Sequence, residues 1–101
     1  MLRKATWRKR VSALRKNFPV DGSVRVVRRP CKRLAGFTTT DGCGNYTIKI
    51  DSRLSWDAQI DTLIHEWAHV LAIAEAYTHR GRWTKHYADV YDFADREFSI
   101  K

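Results

Sequence analysis

Only two cysteines, Cys31 and Cys43, occur in the 101 residues, and they do not form a C-x-x-C pair. A zinc ribbon built from cysteine alone is therefore excluded within this chain, and in a reducing compartment both thiols are expected to be free. Proline is as scarce: Pro19, with Asp21-Gly22, ends the first helix, and Pro30 closes the first strand. No apolar run approaches the roughly 20 residues of a membrane span, and the basic segment Met1–Arg10 is followed by no apolar stretch of signal-peptide type. A cytoplasmic protein without membrane contact is the expectation. Acidic residues are nearly missing from the first third. Residues 1–36 hold twelve Lys/Arg against the single acid Asp21, a balance of +11, while residues 37–101 hold seven bases and ten acids, a balance of −3. That asymmetry suggests a polyanion-binding surface beside a part that does something else. With no base-reading motif, contact with nucleic acid is expected to be nonspecific, made through phosphates and sensitive to salt.

The 44% hydrophobic content, twelve aromatics among it, argues for a folded chain, and the length for one domain spanning 1–101. Residues 4–17 read as a helix with Trp7, Val11, Leu14 and Phe18 on one stripe. Val24–Arg28 reads as a strand, residues 32–39 as a weaker one around Leu34 and Phe37, and Asp41–Asn45 as a turn. Tyr46–Asp51 alternates apolar and polar, the clearest strand pattern in the chain. Ser55 is an N-cap candidate for a helix over 56–75. Its apolar stripe is Ile60, Leu63, Ile64, Trp67, Leu71 and Ala74. A last helix over 82–98 carries Trp83, Tyr87, Val90, Tyr91, Ala94 and Phe98, with Lys85/Asp89 and Asp92/Arg96 spaced to pair. The fold class is α+β: an N-terminal helix, a three-stranded antiparallel or mixed sheet, and two helices.

What this scaffold carries is His65-Glu66-Trp67-Ala68-His69, an H-E-x-x-H pentad. In a helix, positions i and i+4 share a face one turn apart, so His65 and His69 can address one ion and Glu66 can reach a water beside it. Two neutral imidazoles and a carboxylate base are the groups that metal-assisted hydrolysis needs. The histidines and Ala72 lie on a stripe beside the core, half-buried yet reachable. Asp61, one turn earlier, is placed to orient His65 from behind. A catalytic zinc takes three protein ligands and keeps one position open. His79, in the turn after the pentad helix, is the expected third ligand. His86 in the last helix is the reserve ligand or an oxyanion donor, and Glu75 could approach only if the helix broke early.

The run Thr62–His69, followed by His79-Arg80-Gly81-Arg82-Trp83 and Tyr87-Ala88-Asp89-Val90-Tyr91, resembles the SprT-like zinc metallopeptidases, zincins, and most of all the small versions encoded by bacteriophages. The strand ending in Ile50-Asp51 and the segment Ser55–Thr62 share the likeness, which covers about residues 44–92. Two features depart from the family pattern: Arg80 separates His79 from Gly81, and the cysteine zinc ribbon of many cellular members is absent. The resemblance implies a minimal zincin-like fold and a metalloendopeptidase, in host cytoplasm if phage-encoded. It implies Zn2+ on His65, His69 and His79, with Glu66 as general base; His86 or Tyr87 is the candidate donor to the developing oxyanion. The substrate, a protein or peptide, is expected to lie extended beside Tyr46–Asp51. The alternative is a nucleic-acid-binding module with a structural or vestigial zinc site and no turnover, using the basic half and Trp7.

Overall fold

The computed structural model describes residues 2–76 and 83–98. The order of elements is α1 (Leu2–Asn17), β1 (Ser23–Arg29), β2 (Gly36–Thr40), β3 (Asn45–Asp51), α2 (Trp56–Ala76) and α3 (Trp83–Phe98), an α+β arrangement within a few residues of the expected boundaries.

The strands pair in the order β1-β3-β2, with β1 parallel and β2 antiparallel to β3. The sheet is therefore mixed. The β2–β3 hairpin turns on Asp41, whose carboxylate accepts hydrogen bonds from the backbone N–H groups of Cys43 (2.7 Å) and Asn45 (3.3 Å) and from the Asn45 side chain (2.8 Å). These bonds hold the Asp41 carboxyl below its ordinary value, the Asn45 side chain first and then the Cys43 N–H. Gly42 and Gly44 take positive φ angles of 79° and 91°, which a side chain would oppose.

Because strand side chains alternate, one face of the sheet collects Val24 and Val26 with Tyr46, Ile48 and Ile50. All five meet the helices. Trp7, Val11 and Leu14 from α1 join Ile60, Leu63, Ile64, Trp67 and Val70 from α2 in that core. Ser55 caps α2 as expected, its hydroxyl accepting from the Ala58 N–H at 3.2 Å. Trp67 donates its indole N–H to the Phe18 carbonyl at 3.1 Å, tying α2 to the end of α1. Phe18 in turn meets Phe93 of α3 edge-on, ring centroids 5.4 Å apart. In α3, Val90 and Ala94 are buried as expected, but Tyr91 is 44% exposed. One step along a helix turns a side chain about 100°, which carries Tyr91 off the line that Val90 and Ala94 bury. Asp92 and Arg96 form no ion pair among the described residues, where Arg53–Asp51 is the pair present. The side chain of Lys85 lies outside the described residues.

The segment between β1 and β2 crosses the end of β3. The Asp51 N–H donates to the Ala35 carbonyl at 2.8 Å. Arg53 pairs with the Asp51 carboxylate at 3.0 Å and donates to the Cys31 carbonyl. Gly36 opens β2 because nothing larger fits: a Cβ there would lie 2.6 Å from both the Lys49 carbonyl and the Thr62 methyl of α2. That contact sets β2 close against the pentad helix. Both cysteines are free thiols, and no helix among the described residues is long and apolar enough to cross a membrane.

Candidate metal centre

His65, Glu66 and His69 all lie in α2, within its third and fourth turns, and all three follow from its burial pattern. The stripe Ile60, Leu63, Ile64 and Trp67 is buried, which leaves His65 and His69 on the adjoining, half-buried stripe. Their Nε2 atoms face each other at 3.1 Å, with ring centroids 4.8 Å apart. A tetrahedral ion with nitrogen ligands at about 2.0–2.1 Å spans a nitrogen pair of about 3.3 Å, close to the observed separation. Two imidazole nitrogens at this distance need a proton or a cation between them. The ligand atoms of His65, Glu66 and His69 lie within 4.8 Å of one another, so the group could hold a metal ion. A donor set dominated by imidazole suits a first-row transition ion better than Mg²⁺ or Ca²⁺.

Electrostatics around the pair favour the ligating form. Burial pushes the His69 imidazole below its ordinary value; the Glu66 carboxylate opposes that shift and His65 adds to it. A depressed His69 is neutral at physiological pH, as a ligand must be.

Glu66 is 7% exposed. Burying a carboxylate without partners is costly, and the partner comes from β2: the Thr38 hydroxyl donates to Glu66 Oε1 at 2.8 Å. Thr38 faces α2 because its register partner is Ile48, on the core side of the sheet. Sequence reading missed Thr38, which sits in a short strand of threonines with no pattern that distinguishes one from another. Two other expectations are corrected. Asp61 is exposed and makes no hydrogen bond to His65 among the described residues, since its side chain points to solvent on the outer side of α2. The strand Tyr46–Asp51 offers no free edge, because β1 and β2 pair with its two sides. The edge beside the candidate site belongs to β2.

His79 lies outside the described residues. The α3 backbone carries His86 and Tyr87 in its first turns, but their side chains, like that of Glu75, also lie outside them. Comparison with protein-family models, with curated proteins and with solved structures finds no match to this chain.

Proposed function

We propose that the chain is a zinc-dependent peptidase of the SprT-like, zincin kind. The observation that carries the reading is the pair of imidazole nitrogens 3.1 Å apart, one residue from a buried carboxylate held by a strand. A zinc ion on His65 and His69, with His79 as third ligand, would supply Lewis acidity to a water and to a peptide carbonyl.

The chain's own groups do the rest. Thr38 steadies the Glu66 carboxylate, which would accept a proton from the attacking water and deliver it to the departing amine. An extended peptide pairing with the outer edge of β2 would pass beside Thr38 and Glu66, since β2 is the edge strand that touches α2. His86 or Tyr87 supplies the donor for the developing oxyanion.

The rival reading is a structural metal in a binding module. A structural zinc is closed by four protein ligands. A buried carboxylate, Glu66, stands beside the two imidazoles, a base that hydrolysis uses and a structural site does not need. The deciding experiment is metal analysis and hydrolysis of an unfolded protein substrate by wild type, Glu66→Gln, His65→Ala and His79→Ala. Zinc is expected in wild type and Glu66→Gln, loss of zinc in both histidine variants, and turnover in wild type alone. Full activity of Glu66→Gln would sink the mechanism, and retained zinc in His79→Ala would move the third ligand elsewhere.

A further inference from the structure

The helices cover one face of the sheet only. On the other face, Arg25, Val27 and Arg29 of β1, Thr47 and Lys49 of β3, and Phe37 of β2 stand side by side in register, and none of them belongs to the core cluster. At the end where the β1–β2 segment crosses over, this face forms a cleft of about 480 Å³ lined by Arg29, Lys32, Arg33, Leu34, Phe37 and Lys49. The lining holds four cations and no carboxylate. The nearest acid on this face, Asp51, is already neutralised by Arg53. The floor is apolar: Leu34 is 57% exposed, and Phe37 is half-buried with the Lys49 ammonium 5.6 Å from its ring centre.

The basic residues of the chain differ in how far they are already used. Three of them are engaged: Arg15 donates to the Val24 carbonyl at 2.8 Å, Arg28 covers the Trp7 ring at 4.5 Å, and Arg10 covers Trp56 at 5.5 Å, whereas Arg8, Lys9 and Lys16 stand exposed on α1, outside this cleft and its apolar floor. The side chains of Arg29, Lys32 and Arg33 make no hydrogen bond or ion pair among the described residues. Uncommitted cations around an exposed aromatic and an aliphatic side chain match the two needs of an unpaired nucleotide: charge for its phosphates and a flat apolar surface for its base.

We infer that this open sheet face binds single-stranded nucleic acid, with Arg29, Lys32, Arg33 and Lys49 on the phosphates and a base stacked over Phe37 and Leu34. A duplex keeps its bases stacked inside and cannot fill the cleft's apolar floor, while an acidic peptide supplies the charge without the stacking surface. The site lies across the sheet from His65, Glu66 and His69, so a strand bound there leaves the β2 edge open. It stands whether or not the metal centre hydrolyses peptides, because the test reads binding alone.

The test is fluorescence anisotropy of a labelled oligothymidine with the full chain at about 50 and about 200 mM salt. Three or four phosphate contacts on a single strand predict that log K falls by about 2 to 3 per decade of salt. Lys32→Glu/Arg33→Glu, both exposed, should weaken binding by at least about tenfold. Lys9→Glu/Lys16→Glu, an equal charge change on exposed positions of α1, should cost less than about threefold. Phe37→Ala should lose about tenfold with the salt dependence unchanged, each variant first being checked for an unchanged melting temperature. If Phe37→Ala does not fold, Leu34→Ser takes its place, with a smaller loss expected. The inference is overturned by absence of binding at low salt or by equal losses in the two charge-reversed variants. It is also overturned if a duplex of the same length, or polyglutamate, binds as tightly as the single strand.

Discussion

Thr38 and Glu66, one on the edge strand β2 and the other on the helix α2, are joined by a 2.8 Å hydrogen bond from the threonine hydroxyl to Oε1. The bond gives the buried carboxylate a partner and fixes one of its oxygens against the strand. It also couples the position of the edge strand to the orientation of the Glu66 carboxylate.

Thr38→Val keeps the shape and removes the donor. A hydrogen bond to a charged group contributes roughly 1.5–3 kcal/mol, so kcat on a peptide substrate should fall about tenfold to a hundredfold, with KM little changed and metal content intact. Thr38→Ser should restore most of the rate. A Thr38→Val enzyme with normal kcat would show that the bond does not position Glu66 during turnover.

Metal uptake should weaken on acidification, with the sign set by His69. Its folded-state value lies below the ordinary 6.5, so the fold favours the neutral ring. The stability contributed is fully present above about 6.5 and is lost as pH falls through the depressed value. Neutral imidazoles are also what a metal requires. Titrating the metal-free protein with Zn²⁺ from about pH 8 downward should show affinity held through the ordinary imidazole range and falling only as pH drops through the depressed His69 value. An affinity that starts to fall above about 6.5 would mean that the fold does not hold His69 in its neutral form.

Acid stability should depend on Asp51. Its carboxyl is held below the ordinary 3.8, first by the Arg53 side chain and then by the Arg53 backbone N–H. The contribution is therefore present above about 3.8 and is lost as pH falls through the depressed value. Asp51→Asn should melt lower than wild type at pH 7, and the gap should close in strongly acidic solution. A gap constant with pH would mean that the Asp51–Arg53 contact does not hold the segment that crosses β3.

How much of this was legible in the sequence depended on the kind of pattern involved. The helix with His65 and His69 could be placed because Ile60, Leu63, Ile64 and Trp67 repeat at helical spacing, and that spacing alone puts the histidines beside the core. Strand β3 was equally plain, since Tyr46, Ile48 and Ile50 alternate without interruption. Alternation tells which face of a strand is buried but not which strand lies next to it, so the order β1-β3-β2 and the paired edges of Tyr46–Asp51 were out of reach. Thr38 was invisible for a related reason: three adjacent threonines look alike until register with Ile48 decides which one faces α2. Tyr91 misled because an aromatic beside a helical stripe can stand on either side of it.

Gly36→Ala tests the fit of β2 against α2. The added Cβ would sit 2.6 Å from the Lys49 carbonyl, and that oxygen belongs to a central strand that cannot move aside. Overpacking of this kind costs about 1–3 kcal/mol. The melting temperature should fall by several degrees, and hydrolysis should fall further than stability alone explains, because Thr38 would shift with its strand. An unchanged melting temperature would mean that β2 relaxes freely at Gly36.

Trp67 stands inside the pentad between Glu66 and His69, yet its surroundings assign it to the scaffold. It is fully buried, and its indole N–H reaches the Phe18 carbonyl. Phe18 in turn packs edge-on against Phe93, so one side chain links the histidine-bearing helix to α1 and, through Phe18, to α3. Trp67→Phe preserves an aromatic body but leaves a smaller void and a carbonyl without its donor. Together these should cost about 2–4 kcal/mol. The expected result is a clear drop in unfolding free energy by denaturant titration, while zinc stoichiometry at low temperature stays that of wild type. His65→Ala should do the reverse, losing zinc while the metal-free protein keeps most of its stability. If Trp67→Phe instead abolished metal binding in a chain that remained folded, the indole would have to be orienting the histidines themselves, and the division between scaffold and site along this helix would be wrong.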